Sequence, residues 1–566
     1  MSTDTHYDAI VVGSGFGGSV TAYRLAEAGR RVLVLERGRP YPPGSFTRSP
    51  YRARESFWDP PHGLTGMYHY WSFRGIDALV SAGLGGGSLI YANVFIRKDE
   101  RWFVHEDVNR GGYEYWPVTR ADLDPHYDRV EKMIGLQRFP VEHEPYASTP
   151  KTVAFKEAAT ALGLEHFHPK LAVTFANAGR PPVPGEAIVE ELPNLHGRTR
   201  TTCQMSGECD VGCNFGAKNT LDYNYLTHAV HHGAEIRTLC DVRRFEPREG
   251  GGYTVHYAAL GEGAPEAPPM VRLTCDRLVL SAGTLGTTNL LLRNRSALPA
   301  ISPKLGTRFC GNGDLLTLVL NTSRVTPDGR REPRIVDPGY GPVITTTARI
   351  PDALDGGEGR GFYLQDAGYP QHLAWVLHVL SAPKQIWRWR KAGFHLVRNW
   401  LQGTPETDVT QQIAELMLPA ELSSGGLPLL TMGRDIPDGR MYLRNGRLDI
   451  AWTREASAPY FERVRALSRD VARELGGRYA DNPLWYLRRV ITVHPLGGAP
   501  MGRHPGEGVV DEYGNVFGHP GLHVADGSVM PGPTGPNPSF TIAALADRFA
   551  DRILESDPRA AEAAAT

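Results

Sequence analysis

The sequence feature that most constrains the fold is a strand, a glycine turn, a helix and a second strand within the first 36 residues. Residues 7–12 (YDAIVV) are apolar enough for a buried parallel strand, and residues 13–18 (GSGFGG) follow directly. Residues 19–28 predict a helix, and residues 31–35 (RVLVL) predict a second strand that ends in Glu36. A unit of this kind is typical of a doubly wound, Rossmann-like sheet.

The spacing of the glycines in this unit points to a dinucleotide. Gly13 permits the tight turn, Gly15 lets the backbone approach a pyrophosphate, and Gly18 allows the helix to pack closely. The start of the helix offers free N–H groups to the phosphates. Glu36 stands 18 residues after Gly18, where it can accept hydrogen bonds from ribose hydroxyls. The unit predicts dinucleotide binding, but it does not choose between NAD and FAD.

Composition narrows the class of protein further. The chain has 566 residues, 41% of them apolar, which predicts a globular protein with a large core. Its 61 basic residues balance 62 acidic ones, so the net charge of −1 excludes the basic footprint of a nucleic-acid binder. Glycine (63) and proline (44) exceed the usual shares of about 7% and 5%. Such an excess indicates many places where the backbone passes close to backbone or ligand.

The compartment is predicted from what the sequence lacks. No basic and apolar leader precedes residue 7, and no run of about 20 apolar residues occurs. Six cysteines are too few for a disulfide-built secreted scaffold. We therefore expect a cytoplasmic protein.

Two later segments are expected to return to the nucleotide. Residues 81–88 (SAGLGGGS) place four glycines in five positions, which suits close approach to an extended ligand; a tight hairpin is the alternative. Residues 277–284 (RLVLSAGT) read as a strand that runs into a small-residue turn. Residues 285–293 then predict a helix.

The C-terminal part carries the most informative residues. His494 opens the segment HPLGG, and a short strand over residues 521–525 ends at Asp526. Residues 535–539 (GPNPS) open a final helix, for which Asn537 is a favoured N-cap and Pro538 a favoured first residue.

Together these blocks resemble the glucose–methanol–choline (GMC) oxidoreductases, within them the bacterial cholesterol-oxidase-like branch. The likeness rests on residues in the family's order along the whole chain: Gly13–Gly18 with Glu36, Gly85–Ser88, Lys218–Leu226, Ala282–Gly286, His494–Gly498, Asp526–Ser528, and Asn537 with Pro538.

This resemblance implies an α/β fold in which a Rossmann-like FAD-binding domain is interleaved with a mixed-sheet, α+β substrate-binding domain. FAD would be held without a covalent bond. The flavin segments would be residues 1–45, 200–315 and 488–560. Residues 46–199, with a flavin-contacting loop at 83–94, and residues 316–487 would form the substrate domain.

The resemblance also implies the site residues. His494 and Asn537 would be catalytic on the flavin face, Val242 would meet the adenine, and Gly87 and Val94 would lie by the pyrophosphate and flavin ring. With the nucleotide motif, the predicted cofactor-binding residues are Gly13, Ser14, Gly15, Phe16, Gly17, Gly18, Glu36, Arg37, Gly83, Gly86, Gly87, Ser88, Asn93, Val94, Val242, Ala282, Gly283, Asp526, Gly527, Asn537, Pro538 and Ser539.

The chain departs from the family pattern in three ways. Members with a covalently bound flavin carry a histidine just after the glycine-serine block, where this chain has residues 89–91 (LIY). Tyr91 stands where close steroid oxidases have asparagine. Those oxidases also use a substrate-domain glutamate to move the steroid double bond, for which Glu415 and Glu421 are the candidates here.

The implied chemistry is oxidation of an apolar secondary alcohol, steroid- or terpenoid-like, to a ketone. His494 is a suitable base because an imidazole titrates near neutral pH, and Asn537 could stabilise the substrate oxygen. Hydride would pass to flavin N5, with oxygen or another electron acceptor completing the cycle. The alternatives are a flavoprotein isomerase or lyase without net redox, and a flavin-stabilised binding protein.

Two further features carry predictions. Cys203, Cys209 and Cys213 form a C-x5-C-x3-C pattern that departs from a ferredoxin run, so we expect reduced cysteines and no metal. Residues 372–402 interleave four tryptophans with basic residues and contain no acid. This segment predicts either weak contact with a membrane surface or a solvated face with its aromatic residues packed inward.

Overall fold

The computed structural model describes residues 5–106, 111–261, 267–370 and 424–556. The segment 372–402, together with Glu415 and Glu421, therefore lies outside the described residues. In the described ranges, no helix combines the length and the apolar character that crossing a membrane requires.

Seven α-helices occur in this part of the chain: α1 Phe16–Glu27, α2 Arg120–Ile134, α3 Pro150–Ala161, α4 Tyr225–His231, α5 Gly283–Arg293, α6 Ala458–Glu474 and α7 Ser539–Glu555. The strands are β1 His6–Val12, β2 Val32–Leu35, β3 Trp58–Asp59, β4 Leu64–Thr65, β5 Tyr68–Ser72, β6 Ile76–Ser81, β7 Val94–Phe95, β8 Val104–Glu106, β9 Tyr113–Tyr115, β10 Gln137–Arg138, β11 Glu165–Phe167, β12 Lys170–Leu171, β13 Glu235–Arg237, β14 Cys240–Pro247, β15 Tyr253–Ala259, β16 Met270–Leu280, β17 Leu315–Leu320, β18 Ser323–Val325, β19 Arg331–Pro333, β20 Thr347–Ile350, β21 Phe362–Asp366, β22 Leu427–Gly433, β23 Arg440–Arg444, β24 Arg447–Ala451, β25 Arg478–Asp481, β26 Val490–Thr492 and β27 Leu522–Val524.

A seven-stranded sheet is built around the N-terminal unit. Its order is β13-β2-β1-β16-β15-β14, and β27 pairs with β16. β1 runs parallel to β2 and β16, and β27 is parallel to β16, whereas β14, β15 and β16 are antiparallel neighbours. The predicted elements β1, α1, β2, α5 and β27 are confirmed, with bounds shifted by up to three residues, because each is set by an apolar run and a glycine turn.

Helices cover the seven-stranded sheet. α1 packs against α7 and α4, and α2 packs against α7. α7 presents Leu545, Phe549 and Ile553 to the core at helical spacing, and all three are buried. This packing fixes the start of α1, and with it the glycine turn, relative to the C-terminal helix.

A second, six-stranded sheet has the order β11-β20-β21-β22-β17-β25. Helices α3 and α6 lie on one face, where Leu315, Leu427 and Leu429 join their core. Successive side chains of a strand point to opposite faces, so Leu316 and Leu430 project from the other face. That uncovered face becomes a cavity wall.

The two sheets together confirm the predicted fold class, a Rossmann-like α/β unit interleaved with a mixed-sheet part. The strands of the seven-stranded sheet lie at residues 6–35, 235–280 and 522–524. The six-stranded sheet draws its strands from residues 165–167, 315–366 and 427–481. The domain boundaries at 45, 199, 315 and 487 stay predictions.

Candidate active site

One cavity of about 840 Å³ lies between the two sheets. Its floor is the carboxyl edge of the parallel strands, where β1 is followed by Gly13, β2 by Glu36 and β16 by Ser281. Ligands of doubly wound sheets bind at this edge because the loops and helix starts converge there. The opposite wall is the free face of the six-stranded sheet, with Leu316 and Leu430.

Most of the predicted cofactor-binding residues meet on this cavity. Those that line it are Gly13, Ser14, Gly15, Phe16, Gly17, Glu36, Arg37, Gly86, Gly87, Val94, Val242, Ala282, Gly283, Asp526, Gly527, Asn537, Pro538 and Ser539. The other four do not line it: Gly18, Gly83, Ser88 and Asn93. Ser88 instead supports the glycine turn, since its Oγ donates to Gly85 O at 2.7 Å and accepts from Leu221 N at 3.1 Å.

The glycine loops differ in what surrounds them. A Cβ on Gly17 would lie 1.4 Å from Ala525 O, so this glycine is required by backbone packing. A Cβ on Gly15 or Gly87 would meet no protein atom within 4 Å. Since both residues line the cavity, the space they leave open belongs to the cavity. Residues 86–89 form a short 3₁₀ helix and not the alternative hairpin.

Glu36 is tied to the first glycine turn. Its Oε2 accepts from Ser14 N at 3.0 Å and from Ser14 Oγ at 2.6 Å, and its Oε1 accepts from Gly38 N at 2.8 Å. The carboxylate therefore fixes the turn, while the residue still lines the cavity beside Arg37.

His494 lies in the loop after β26 and lines the cavity. Its Nδ1 lies 2.8 Å from Asp314 Oδ1. Asp314 is buried, and its Oδ2 also accepts from Thr492 Oγ1 and Val493 N, both at 2.9 Å. A carboxylate at this distance holds the proton on Nδ1, so Nε2 is the nitrogen left to accept a proton.

Asn537 lines the same part of the cavity at the start of α7. Its Oδ1 accepts a hydrogen bond from Gln365 Nε2 at 3.0 Å. With Oδ1 engaged, the donor Nδ2 is the amide atom available to a ligand. The N-cap of α7 is Pro538, and the cap side chain makes no hydrogen bond. The expectation that Asn537 caps this helix is wrong, because the helix begins one residue later, with Pro538 at the cap position, and the side-chain oxygen of Asn537 accepts from Gln365.

The loop before Asn537 is held from two sides. Asn312 Oδ1 accepts from Thr534 N at 2.9 Å and Gly535 N at 3.1 Å. Lys98 Nζ donates to the carbonyl oxygens of Pro533 at 2.9 Å and Thr534 at 3.1 Å. Burial lowers the pKa of Lys98 well below its usual value.

Sequence reasoning missed Asp314, Asn312 and Gln365. The signal for the first two was the turn sequence at residues 311–314 (GNGD), which stands directly before β17. Nothing in the local sequence marks Gln365, which is an interior residue of β21.

The clustered residues Cys203, Cys209 and Cys213 do not line this cavity, whereas Cys240 does. All six are free thiols, and Cys203, Cys209 and Cys213 pack in one apolar cluster with Phe139 and Phe175. Within the described ranges, one group of three side chains has metal-ligand spacing: His126, Asp547 and Asp551. Arg24 and Arg129 already pair with both of its carboxylates.

Known protein families match three stretches of the chain. Residues 194–311 and 461–546 match family models described as GMC oxidoreductase, and residues 11–72 match an NAD(P)-binding Rossmann-like domain. The cholesterol oxidase of Mycobacterium tuberculosis (strain H37Rv) is 30% identical over 96% of this chain and 90% of its own length. The cholesterol oxidase of Acinetobacter baumannii is 27% identical over 96% of this chain and 93% of its own length.

A solved structure shares the overall architecture. A formate oxidase from Aspergillus oryzae superposes with a TM-score of 0.60 at 16% identity, over 99% of this chain and 100% of that one. At this identity the likeness concerns the fold alone.

Proposed function

The chain belongs to the GMC oxidoreductase family, and on that premise we propose that it oxidises a secondary alcohol of an apolar, steroid- or terpenoid-like molecule to a ketone. As a member of that family, it is an FAD-dependent alcohol oxidoreductase. The proposal adds the substrate class, the roles of individual residues, and oxygen as the electron acceptor, which the oxidases among its relatives suggest.

The cavity fits a bound FAD on its own geometry. Gly15 and Gly87 leave room that any side chain would fill, and the first turn of α1 directs free N–H groups toward it. Glu36 and Val242 line one end of the same cavity that His494 and Asn537 line at the other. We infer that the residues between these ends hold the cofactor, with no covalent bond, and that residues 1–45, 200–315 and 488–560 form its domain.

The observation that carries the proposal is the pair His494–Asp314, with its 2.8 Å bond, on the wall of a largely apolar cavity. Asp314 keeps the proton on Nδ1, so Nε2 of His494 takes the proton of the substrate hydroxyl. Asp314 then stabilises the imidazolium that forms. Bound FAD supplies the acceptor for the hydride that leaves the carbinol carbon.

Asn537 acts on the substrate oxygen. Because Gln365 occupies its Oδ1, Asn537 directs Nδ2 toward the cavity, where it donates to the oxygen as negative charge develops. The apolar wall around Leu316, Leu318 and Leu430 excludes water and accepts a hydrocarbon skeleton.

Anaerobic mixing of the holoprotein with a panel of steroid and terpenoid alcohols tests this function. We expect bleaching of the flavin absorbance with one equivalent of ketone, and full recovery on admission of oxygen. Substrate conversion without bleaching would support an isomerase or lyase instead.

The role of His494 is tested with His494→Ala. This variant should retain FAD and lose about 10²–10⁴-fold in the rate of flavin reduction. His62→Ala is the matched control, because His62 is exposed and pairs with Asp59 outside the cavity. Normal reduction in His494→Ala would refute the assignment of the base.

A further inference from the structure

One acidic residue on the cavity wall has no part in the proposed chemistry. Asp210 belongs to a 3₁₀ turn, Cys209–Val211, and lines the cavity together with Ile90, Tyr91 and Val343. Among the described residues, no side chain donates a hydrogen bond to the carboxylate of Asp210. No basic nitrogen of these residues lies within 4.0 Å of its carboxylate oxygens. A partly buried carboxylate without a donor is costly unless a ligand provides one.

The backbone under Asp210 is firmly held. Tyr68 Oη donates to Asp210 O at 2.8 Å, and Lys218 Nζ donates to Cys209 O at 2.7 Å. Arg48 pairs with Glu208 at 2.8 Å and donates to Val211 O at 3.2 Å. Asp210 is thus held at the cavity wall by a fixed turn, as a preorganised recognition group must be.

The charges around Asp210 select the kind of donor. Lys218 and Lys151 are both buried nearby, and they favour the ionised carboxylate, although burial raises the pKa of Asp210 to about 6. Lys151 has its own acid, Asp366, at 3.7 Å. The Lys218 ammonium already offsets the negative charge of Asp210, so the carboxylate gains less from a cationic ligand and a neutral hydroxyl donor is sufficient.

We propose that Asp210 accepts a hydrogen bond from a second hydroxyl group of the substrate. The preferred alcohol would then be a diol, with one hydroxyl oxidised near His494 and the other bound at Asp210. This inference rests on the proposed alcohol oxidation and narrows its substrate class.

The competing explanation is that Asp210 only balances the charge of Lys218. That ammonium donates to Leu89 O at 2.9 Å and lies 4.6 Å from the centre of the Tyr91 ring, beside the glycine loop. Loss of a purely structural carboxylate would weaken binding of every substrate alike, whereas loss of a recognition group weakens only ligands that carry the second hydroxyl.

The test compares matched ligands that differ by one hydroxyl: androstanediol against the two androstanols that each lack one of its hydroxyls, and a menthane diol against menthol. Binding to the oxidised holoprotein is measured under anaerobic conditions from the perturbation of flavin absorbance. Flavin reduction by the same ligands is measured separately.

In the unaltered protein at least one diol should bind about tenfold more tightly than its mono-ol, and Asp210→Leu should abolish that ratio while FAD content stays the same. Asp210→Asn keeps a neutral acceptor and should give an intermediate ratio. Asp128→Leu, which removes an exposed carboxylate outside the cavity, is the matched control and should keep the ratio.

Equal affinity for diols and mono-ols, or a ratio that survives in Asp210→Leu, would overturn the inference. The two proposals fail separately. If no alcohol reduced the flavin, the proposed alcohol oxidation would be refuted. The ratio of diol to mono-ol affinity would still test whether Asp210 recognises a second hydroxyl group.

Discussion

Asn312 and Asp314 stand two positions apart in one turn and hold the two sides of the candidate site. Asn312 Oδ1 accepts from the backbone of Thr534 and Gly535, in the loop that leads to Asn537. Asp314 Oδ1 lies 2.8 Å from Nδ1 of His494. A single turn before β17 therefore sets the distance between the proposed base and the proposed oxygen-binding amide.

Asp314→Asn should lower the rate of flavin reduction by about 10²–10⁴-fold with little change in FAD content. An amide in this position no longer fixes the Nδ1 proton or stabilises the imidazolium. Anaerobic stopped-flow measurement of flavin reduction checks this. A rate equal to that of the unaltered protein would show that His494 does not need its carboxylate.

Asn312→Ala should lower both stability and the rate of flavin reduction. The N–H groups of Thr534 and Gly535 lose their acceptor, which costs about 2 kcal/mol, and Asn537 is no longer held in place. Asn294→Ala is the control, since Asn294 is a buried asparagine that bonds to Phe245 N and Leu290 O. The control should lower the melting temperature without slowing reduction; equal slowing in both would contradict a positioning role.

Gln365→Met should slow flavin reduction by roughly tenfold, because Asn537 loses the donor that orients its amide. Thr347→Val removes the other partner of Gln365 Nε2, at 3.1 Å, and leaves the bond to Asn537 in place. We expect a normal rate in Thr347→Val. If flavin reduction in Thr347→Val were as slow as in Gln365→Met, packing in the sheet and not the orientation of the Asn537 amide would control the rate.

Gly15→Ala and Gly17→Ala should fail in different ways. Gly15 has φ of −71°, which alanine adopts freely, and its Cβ would point into open space, so the fold should persist while FAD binds more weakly. Gly17→Ala would drive a methyl group into Ala525 O and should destabilise the protein itself. Titration of the apoprotein with FAD and melting of the apoprotein separate the two effects. Unchanged FAD affinity in Gly15→Ala would remove this loop from the cofactor site.

Asp435→Asn should make the holoprotein more stable than the unaltered protein, and this gain in stability should be larger at pH 8 than at pH 5. Burial raises the pKa of Asp435 to about 8 from its usual 3.8. The native state therefore keeps a proton that the unfolded chain releases, and stability falls as the pH rises between these two values. The asparagine variant lacks this penalty, which grows by at most about 1.4 kcal/mol per pH unit.

Melting temperatures at pH 5 and pH 8 check this prediction. Asp128→Asn, at an exposed carboxylate, controls for the change of charge. If Asp435→Asn raised the melting temperature by the same amount at both pH values, the carboxyl group of Asp435 would be ionised in the native protein.

The sequence by itself determined the parts whose physics is local. The glycine turn at residues 13–18, the strands beside it and the start of the last helix are each set by an apolar run, a small-residue turn or a proline within a few residues. Because parallel strands end at one edge of a sheet, Gly13, Glu36, Gly283 and Asp526 could be expected to meet, and they line one cavity.

Only the tertiary structure decided how the proposed catalytic side chains are held. Asp314 and His494 are 180 residues apart in the sequence, and Gln365 and Asn537 are 172 apart. Such pairings depend on the position of one sheet over another, which no local pattern encodes. The same holds for Asp210, whose place on the cavity wall follows from the packing of a short turn beside the glycine loop.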